Sequence, residues 1–323
     1  MKTRNPAEIP EPALPGFDPS LQDRPAVVVT GVSSGIGLAI AEDLLSRGYR
    51  VFGSVRRLAD AEGLIAQWPA AFIPLVFDLT DIDQLKDVVK QVRVSLAGQG
   101  LAALVNNAGI SHSGPLMHQP LEEIRKIFEV NVFGLIAITQ AFLPLLGARS
   151  DPVHPPGRVV NIGSVSGGIT VPFMGAYSAS KHAVEAFSQG LRRELRPFGI
   201  EVSSVEPGFI RSKMFDKAAP AKAIDSYADT TYVEPWQQFN RSLLEQERNA
   251  KSPGIVARAV LHAIESPIPR TRYPLDPLWR VGWLLPDRVF DRLIFKALGI
   301  AGLMQPRKRR APTQPRFDIH KET

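Results

Sequence analysis

The chain alternates between two spacings of apolar residues. Residues 26–30 form a short β-branched run, AVVVT. Residues 35–47 then place Ile36, Ile40, Leu44 and Leu45 at helical intervals, and Gly48 stands just past the last turn, where a glycine ends a helix. Strand-like runs recur at 50–55, 72–77, 102–106, 158–162 and 200–205, with a short one near Tyr273. Helical spacing recurs at 82–96, 121–146, 176–196 and 253–265. Short apolar runs alternating with helices indicate a parallel sheet covered on both faces. Right-handed crossovers make this a doubly wound, Rossmann-type α/β fold in a single domain.

The rest of the chain is less regular. Residues 1–24 carry five prolines and read as an extended, disordered tail. The domain is expected over 25–303, with a proline-rich surface loop at 150–157 and a polar helical stretch near 237–251. Residues 277–303 form an apolar C-terminal helical extension containing Trp279, Trp283, Phe290 and Phe295. It covers the substrate pocket, packs as core, or lies on a membrane surface as an amphipathic anchor, with the first two preferred. Residues 304–323 read as a basic disordered tail around Arg307, Lys308, Arg309 and Arg310.

Composition removes several chemistries. The 323 residues contain no cysteine, which excludes disulfides, thiolate metal sites and cysteine nucleophiles. None of the six histidines forms an HxxxH or HxH pair, so no metal site is expected. No uninterrupted apolar run spans a bilayer, and the N-terminus lacks the apolar stretch of a secretion signal. The expectation is a cytoplasmic protein with an option of peripheral membrane contact. The net charge of +6 is partly the local basic cluster. No aromatic–basic pattern accompanies it, so nucleic acid is not an expected partner.

The first strand runs into Thr30-Gly31-Val32-Ser33-Ser34-Gly35-Ile36-Gly37. Glycines at this spacing between strand and helix allow close approach of a pyrophosphate, and the helix N-terminus offers unpaired N–H groups. After the second strand the sequence reads Ser54-Val55-Arg56-Arg57, with no acid to hold ribose hydroxyls. An arginine there can pair with a 2′-phosphate, so NADP(H) is expected over NAD(H), with Arg56 preferred to Arg57 as the contact. Asp78, followed by Leu79, closes the third strand and could accept from an adenine amino group. Its competing role is a helix cap, for which Asp81 is better placed.

Tyr177 and Lys181 are four residues apart, hence on one helix face. An ammonium near a phenol lowers its pKa toward the range useful for proton transfer. With Asn106-Asn107-Ala108-Gly109, Asn131, Ser164 and Pro207-Gly208 in the same order, the chain resembles the single-domain type of the short-chain dehydrogenase/reductase family over about residues 25–275.

The resemblance implies roles for these positions. Tyr177 would be the general acid/base, and Lys181 would bind the nicotinamide ribose and tune Tyr177. Ser164 would bond the substrate oxygen, and Asn131 would hold a water linking Lys181 to solvent. Asn107, Ala108 and Gly109 would support the sheet beside the cofactor. Pro207 and Gly208 would face the nicotinamide, with Ser212 near its carboxamide. Gly31, Ser33, Ser34, Gly35, Ile36, Gly37, Arg56, Asp78 and Leu79 complete the expected cofactor site. The sub-family resemblance is to retinol and 17β-hydroxysteroid dehydrogenases and their bacterial relatives. It implies a reversible alcohol/carbonyl oxidoreductase, a lipophilic small-molecule substrate and a homo-oligomer. Two other readings are an enzyme of the sugar-nucleotide epimerase or dehydratase kind and a non-catalytic NADP-binding regulator. The glycine spacing opposes the first, and retention of both Tyr177 and Lys181 opposes the second.

Overall fold

The computed structural model describes residues 24–211, 227–276 and 282–304. Ser212, Trp279, residues 1–23 and residues 305–323 lie outside the described residues, as does the side chain of Trp283. Seven parallel strands form one sheet: β1 (Ala26–Val29), β2 (Arg50–Val55), β3 (Phe72–Val76), β4 (Ala103–Asn106), β5 (Arg158–Ile162), β6 (Glu201–Glu206) and β7 (Arg272–Pro274). Their spatial order is 3-2-1-4-5-6-7. The order reverses between β1 and β4, and that switch point is where open α/β sheets bind ligands.

The alternation of β1 shows why both faces are covered. Val27 and Val29 pack with α1 (Gly35–Ser46) on one face. Ala26 and Val28 pack on the other, where α3 (Ile82–Leu96) contributes Val88, Val92 and Leu96. β1, β2 and β4 are thus buried along their whole length. Between β2 and β3 lies α2 (Glu62–Gln67), which the sequence reading lacked because the helix is only six residues long and follows a 3-10 turn.

Residues 121–146 are helical but not as one regular helix. They divide into α4 (Leu121–Phe128), a π-helical turn (Glu129–Gly134), α5 (Leu135–Phe142) and a 3-10 turn (Leu143–Leu146). By length and composition this segment is apolar enough to cross a bilayer, although Glu129, Asn131, Thr139 and Gln140 interrupt its apolar run. It packs instead into the core through Ile127, Ile138, Phe142 and Leu146.

Downstream lie α6 (Gly175–Glu194), α7 (Val233–Arg248), α8 (Gly254–Glu265) and α9 (Asp287–Ala297). The helix α7 starts a turn before the polar stretch that announced it, because its apolar face includes Trp236 and Phe239. A third cluster joins α7 to α9: Trp236, Phe239 and Leu243 pack with Ile294, Leu298, Ile300, Phe173 and Met174. The described part of the C-terminal extension is therefore packed, with Phe290 and Phe295 partly buried against that cluster.

Candidate active site

The loop after β1 is built by close contacts between backbones. Gly31 has φ +72°, and its amide donates to Ser54 Oγ at 2.9 Å. A Cβ on Gly37 would lie 2.1 Å from Gly31 O and 2.4 Å from Asn107 Nδ2, so only glycine fits there. Asn107 Nδ2 donates to Thr30 O (2.8 Å) and Gly31 O (3.2 Å). Thr30 Oγ1 accepts from the amides of Asn107 and Ala108, both at 2.9 Å. The Asn107–Gly109 segment is thereby fastened to the glycine loop, and the N-terminus of α1 opens beside it.

A cleft of ≈ 480 Å³ runs from this loop to the catalytic candidates. Every expected cofactor or catalytic residue borders it except Asn131, which lies beneath the floor, and Ser212, which is outside the described residues. The two arginines separate cleanly. Arg57 is held by Asp60 through two contacts, 2.6 and 3.2 Å, whereas the exposed Arg56 borders the cleft. Asp78 also borders it, and Thr80 donates to its Oδ1 from both amide and hydroxyl, at 2.9 and 2.7 Å. Those bonds hold the Asp78 carboxyl below its ordinary range, with the nearby Arg56 charge acting in the same direction. The cap of α3 is Asp81, whose Oδ1 accepts from Gln84 N at 3.3 Å.

At the other end Tyr177 hydrogen-bonds with Ser164. Ser164 Oγ also accepts from Ser166 N at 3.1 Å. Lys181 is buried, with Nζ 2.8 Å from Ile162 O and 6.0 Å from the centre of the Tyr177 ring. Burial pushes the Lys181 pKa down to about 8. Burial raises that of Tyr177, and the Ser164 hydrogen bond opposes the rise. In the protein alone desolvation therefore favours the neutral form of both groups. It outweighs the phenol–ammonium attraction anticipated from the four-residue spacing.

Asn131 sits on the π-helical turn, a distortion often found at functional sites. Its Oδ1 accepts from Ile110 N at 2.8 Å, and its Nδ2 donates to Ile110 O (2.9 Å) and Ser180 Oγ (3.0 Å). The side chain thereby ties the loop after Gly109 to α6. Phe173, just before α6, has φ +68°, a conformation rare for a bulky residue. Its ring is compensated by edge contacts with Tyr232, Trp236 and Phe239 at centroid distances of 6.1, 5.6 and 5.3 Å. Tyr177 packs against the same cluster.

With that geometry in place, the comparisons with known proteins decide the family. The short chain dehydrogenase family model matches residues 25–223. The chain is a member of the short-chain dehydrogenase/reductase family. It is 41% identical to the NADPH-dependent 3-dehydrocapnine reductase of Ornithobacterium rhinotracheale, covering 84% of this chain and 96% of that one. It is 36% identical to the 17-beta-hydroxysteroid dehydrogenase type 6 of Bos taurus, over 78% and 80% of the two chains. Among solved structures, a short-chain dehydrogenase from Streptomyces avermitilis matches with TM-score 0.68 and 32% identity, covering 86% of this chain and 97% of that one. The protein is thus an oxidoreductase of the short-chain type, from the branch that contains retinol and hydroxysteroid dehydrogenases.

The sequence reading missed some of the site. Ser54, Lys126 and His112 border the cleft. Ser54, next to last in β2, accepts from Gly31 N at its Oγ and from Val32 N at its carbonyl, and a serine at the end of this strand was the available signal. Nothing in the spacing marks Lys126 or His112. A second recess of ≈ 320 Å³ lies between α9 and the loop before α4, lined in part by Leu116, Met117, Phe173, Tyr232, Phe290 and Ile294.

Proposed function

We propose that this protein is an NADP(H)-dependent reductase or dehydrogenase that interconverts a lipophilic ketone or aldehyde and its alcohol, with Tyr177 moving the proton. The observation that carries this reading is the Tyr177–Ser164 pair. It stands with Lys181 at one end of a cleft whose other end is a glycine loop and Arg56. The donor set fits the coenzyme. The α1 N-terminus with the tight turn at Gly31 and Gly37 suits a pyrophosphate, and Arg56 suits the 2′-phosphate while Arg57 is engaged by Asp60. Asp78 suits an adenine amino group, and Lys181 a ribose. Pro207 and Gly208 close the far wall.

When bound, NADP(H) supplies or takes up the hydride. The chain's own residues do the rest. Ser164 turns its hydroxyl proton from Tyr177 to the substrate oxygen and holds the carbonyl against Tyr177. Tyr177 Oη gives up its proton as negative charge grows on that oxygen, and takes one back in the reverse direction. A charged Lys181 nearby stabilises the phenolate left behind. Asn131 fixes Ile110 and α6 relative to each other, so both groups keep their places.

The lipophilic class rests on the surroundings of Tyr177. The aromatic cluster against which it packs includes Phe173, Trp236 and Phe239, and the apolar recess opens beside them. Apolar burial there favours a bound lipophile by ~25 cal/mol per Å². The test is a panel of lipophilic and small polar ketones with NADPH and NADH, followed by coenzyme absorbance. Highest kcat/KM for a lipophile with NADPH is expected. A small polar ketone that outperforms every lipophile would refute the substrate class.

A further inference from the structure

The helix α9 divides its surface unusually. Ile294 and Phe290 turn toward the aromatic cluster. One residue earlier on the wheel, Val289 and Leu293 are 40% and 52% exposed. On their outer flank Arg288, Arg292 and Lys296 recur every fourth residue, which aligns them along one side of the helix. All three are exposed, and none forms an ion pair among the described residues. Exposed apolar side chains beside a row of unpaired cations is the pattern of a helix lying in a lipid interface.

The surroundings extend this face. Leu284, just before α9, is 84% exposed, and across the recess Met117 is 76% exposed. Met304 lines the recess, and the sequence three residues on reads Arg307-Lys308-Arg309-Arg310. We propose that this face, α9 with Leu284, Leu116 and Met117, docks on an anionic lipid bilayer. A neutral protein partner would not use the cationic row, and a second copy would oppose cation to cation, since a two-fold interface pairs a patch with itself. Docking sets the apolar recess against the lipid and gives a lipophile a dry path toward Phe173 and Tyr177.

The test is sedimentation of the full chain with vesicles of phosphatidylcholine alone or with phosphatidylglycerol, and it does not depend on the substrate. Binding is expected only with the anionic lipid. Arg288→Gln/Arg292→Gln/Lys296→Gln should weaken it roughly 100-fold, at about one interfacial charge's worth per residue. Val289→Ser/Leu293→Ser should weaken it roughly tenfold through lost apolar burial. Both variants should keep the wild-type melting temperature, because every changed side chain is exposed. Equal sedimentation with both lipids, or anionic binding that survives both variants and vanishes only on removing residues 305–323, would overturn the proposal. So would variants that change the solution mass while vesicle binding stays absent. Turnover of a polar ketone by a vesicle-bound protein would instead refute the substrate reading and leave this one standing.

Discussion

Replacing Gly37 with alanine adds one methyl group where the structure has no room. The new Cβ would sit 2.1 Å from Gly31 O, 2.4 Å from Asn107 Nδ2 and 2.9 Å from Gly31 C. Ordinary carbon contacts begin near ~3.5 Å, so loop and helix must separate by more than about 1 Å. The nearest obstacle is backbone, which cannot swing aside. Separation would also break the two Asn107 Nδ2 bonds, worth about 1 kcal/mol each. Overpacking adds roughly 1–3 kcal/mol, and the better helix propensity of alanine returns up to about 1 kcal/mol. The net is a loss of roughly 2–4 kcal/mol, or a fall in Tm of about 5–10 °C. NADPH affinity should fall at least about tenfold, because the same displacement moves the N–H groups meant for the pyrophosphate. Thermal unfolding by circular dichroism and NADPH fluorescence titration measure the two effects. Gly63→Ala in α2 is the control, since a Cβ there meets nothing within 4 Å. It should be neutral or stabilising. If Gly37→Ala matches that control in both assays, the packing argument for this loop is wrong.

Two further outcomes follow from charge. Arg56→Ala should weaken NADPH by roughly 10–100-fold and leave NADH nearly unchanged, because one charge-assisted contact to the 2′-phosphate is worth about 1.5–3 kcal/mol. Equal losses for both coenzymes in a titration would remove Arg56 as the discriminator. Lys181 in the coenzyme-free protein has its pKa lowered from 10.5 to about 8. Below pH 8 the amine is charged in both folded and unfolded chains, and the folded one bears the whole desolvation penalty. Between pH 8 and 10.5 the unfolded chain holds more protons, so stability rises with pH, by up to about 3 kcal/mol. The stability difference between wild type and Lys181→Met should grow in favour of wild type across that window. Subtracting the variant cancels Tyr177, which titrates in the opposite sense. A flat difference from pH 7 to 10.5 would contradict the burial argument.

The strand pattern was readable because the central strands are covered on both faces and are mostly apolar. Arg50–Val55 and Arg158–Ile162 have the expected limits for that reason. The cofactor end was readable for a different reason. Gly37 must approach Gly31 and Asn107 so closely that no other residue type fits, and such constraints write themselves into sequence. The Tyr177–Lys181 pair was legible because a four-residue helical spacing fixes both on one face. What spacing cannot carry is contact between distant segments. Asn131 reaches both Ile110 and Ser180, and Arg272 forms ion pairs with Glu185 of α6 and Glu206 of β6. The same limit hid the balance of burial against charge at Tyr177. Desolvation there depends on Phe173, Trp236 and Phe239, which approach from two distant places in the chain.

The central claim is that Tyr177 moves the proton, and Tyr177→Phe tests it most directly. The substitution keeps the ring that packs on the aromatic cluster and removes only the hydroxyl paired with Ser164. Single-turnover oxidation of bound NADPH with a lipophilic ketone should fall by roughly 10²–10⁴-fold. The NADPH dissociation constant, measured on the same sample, should stay within about twofold of wild type. Turnover near the wild-type rate with NADPH still bound would contradict the account and move proton transfer to another group.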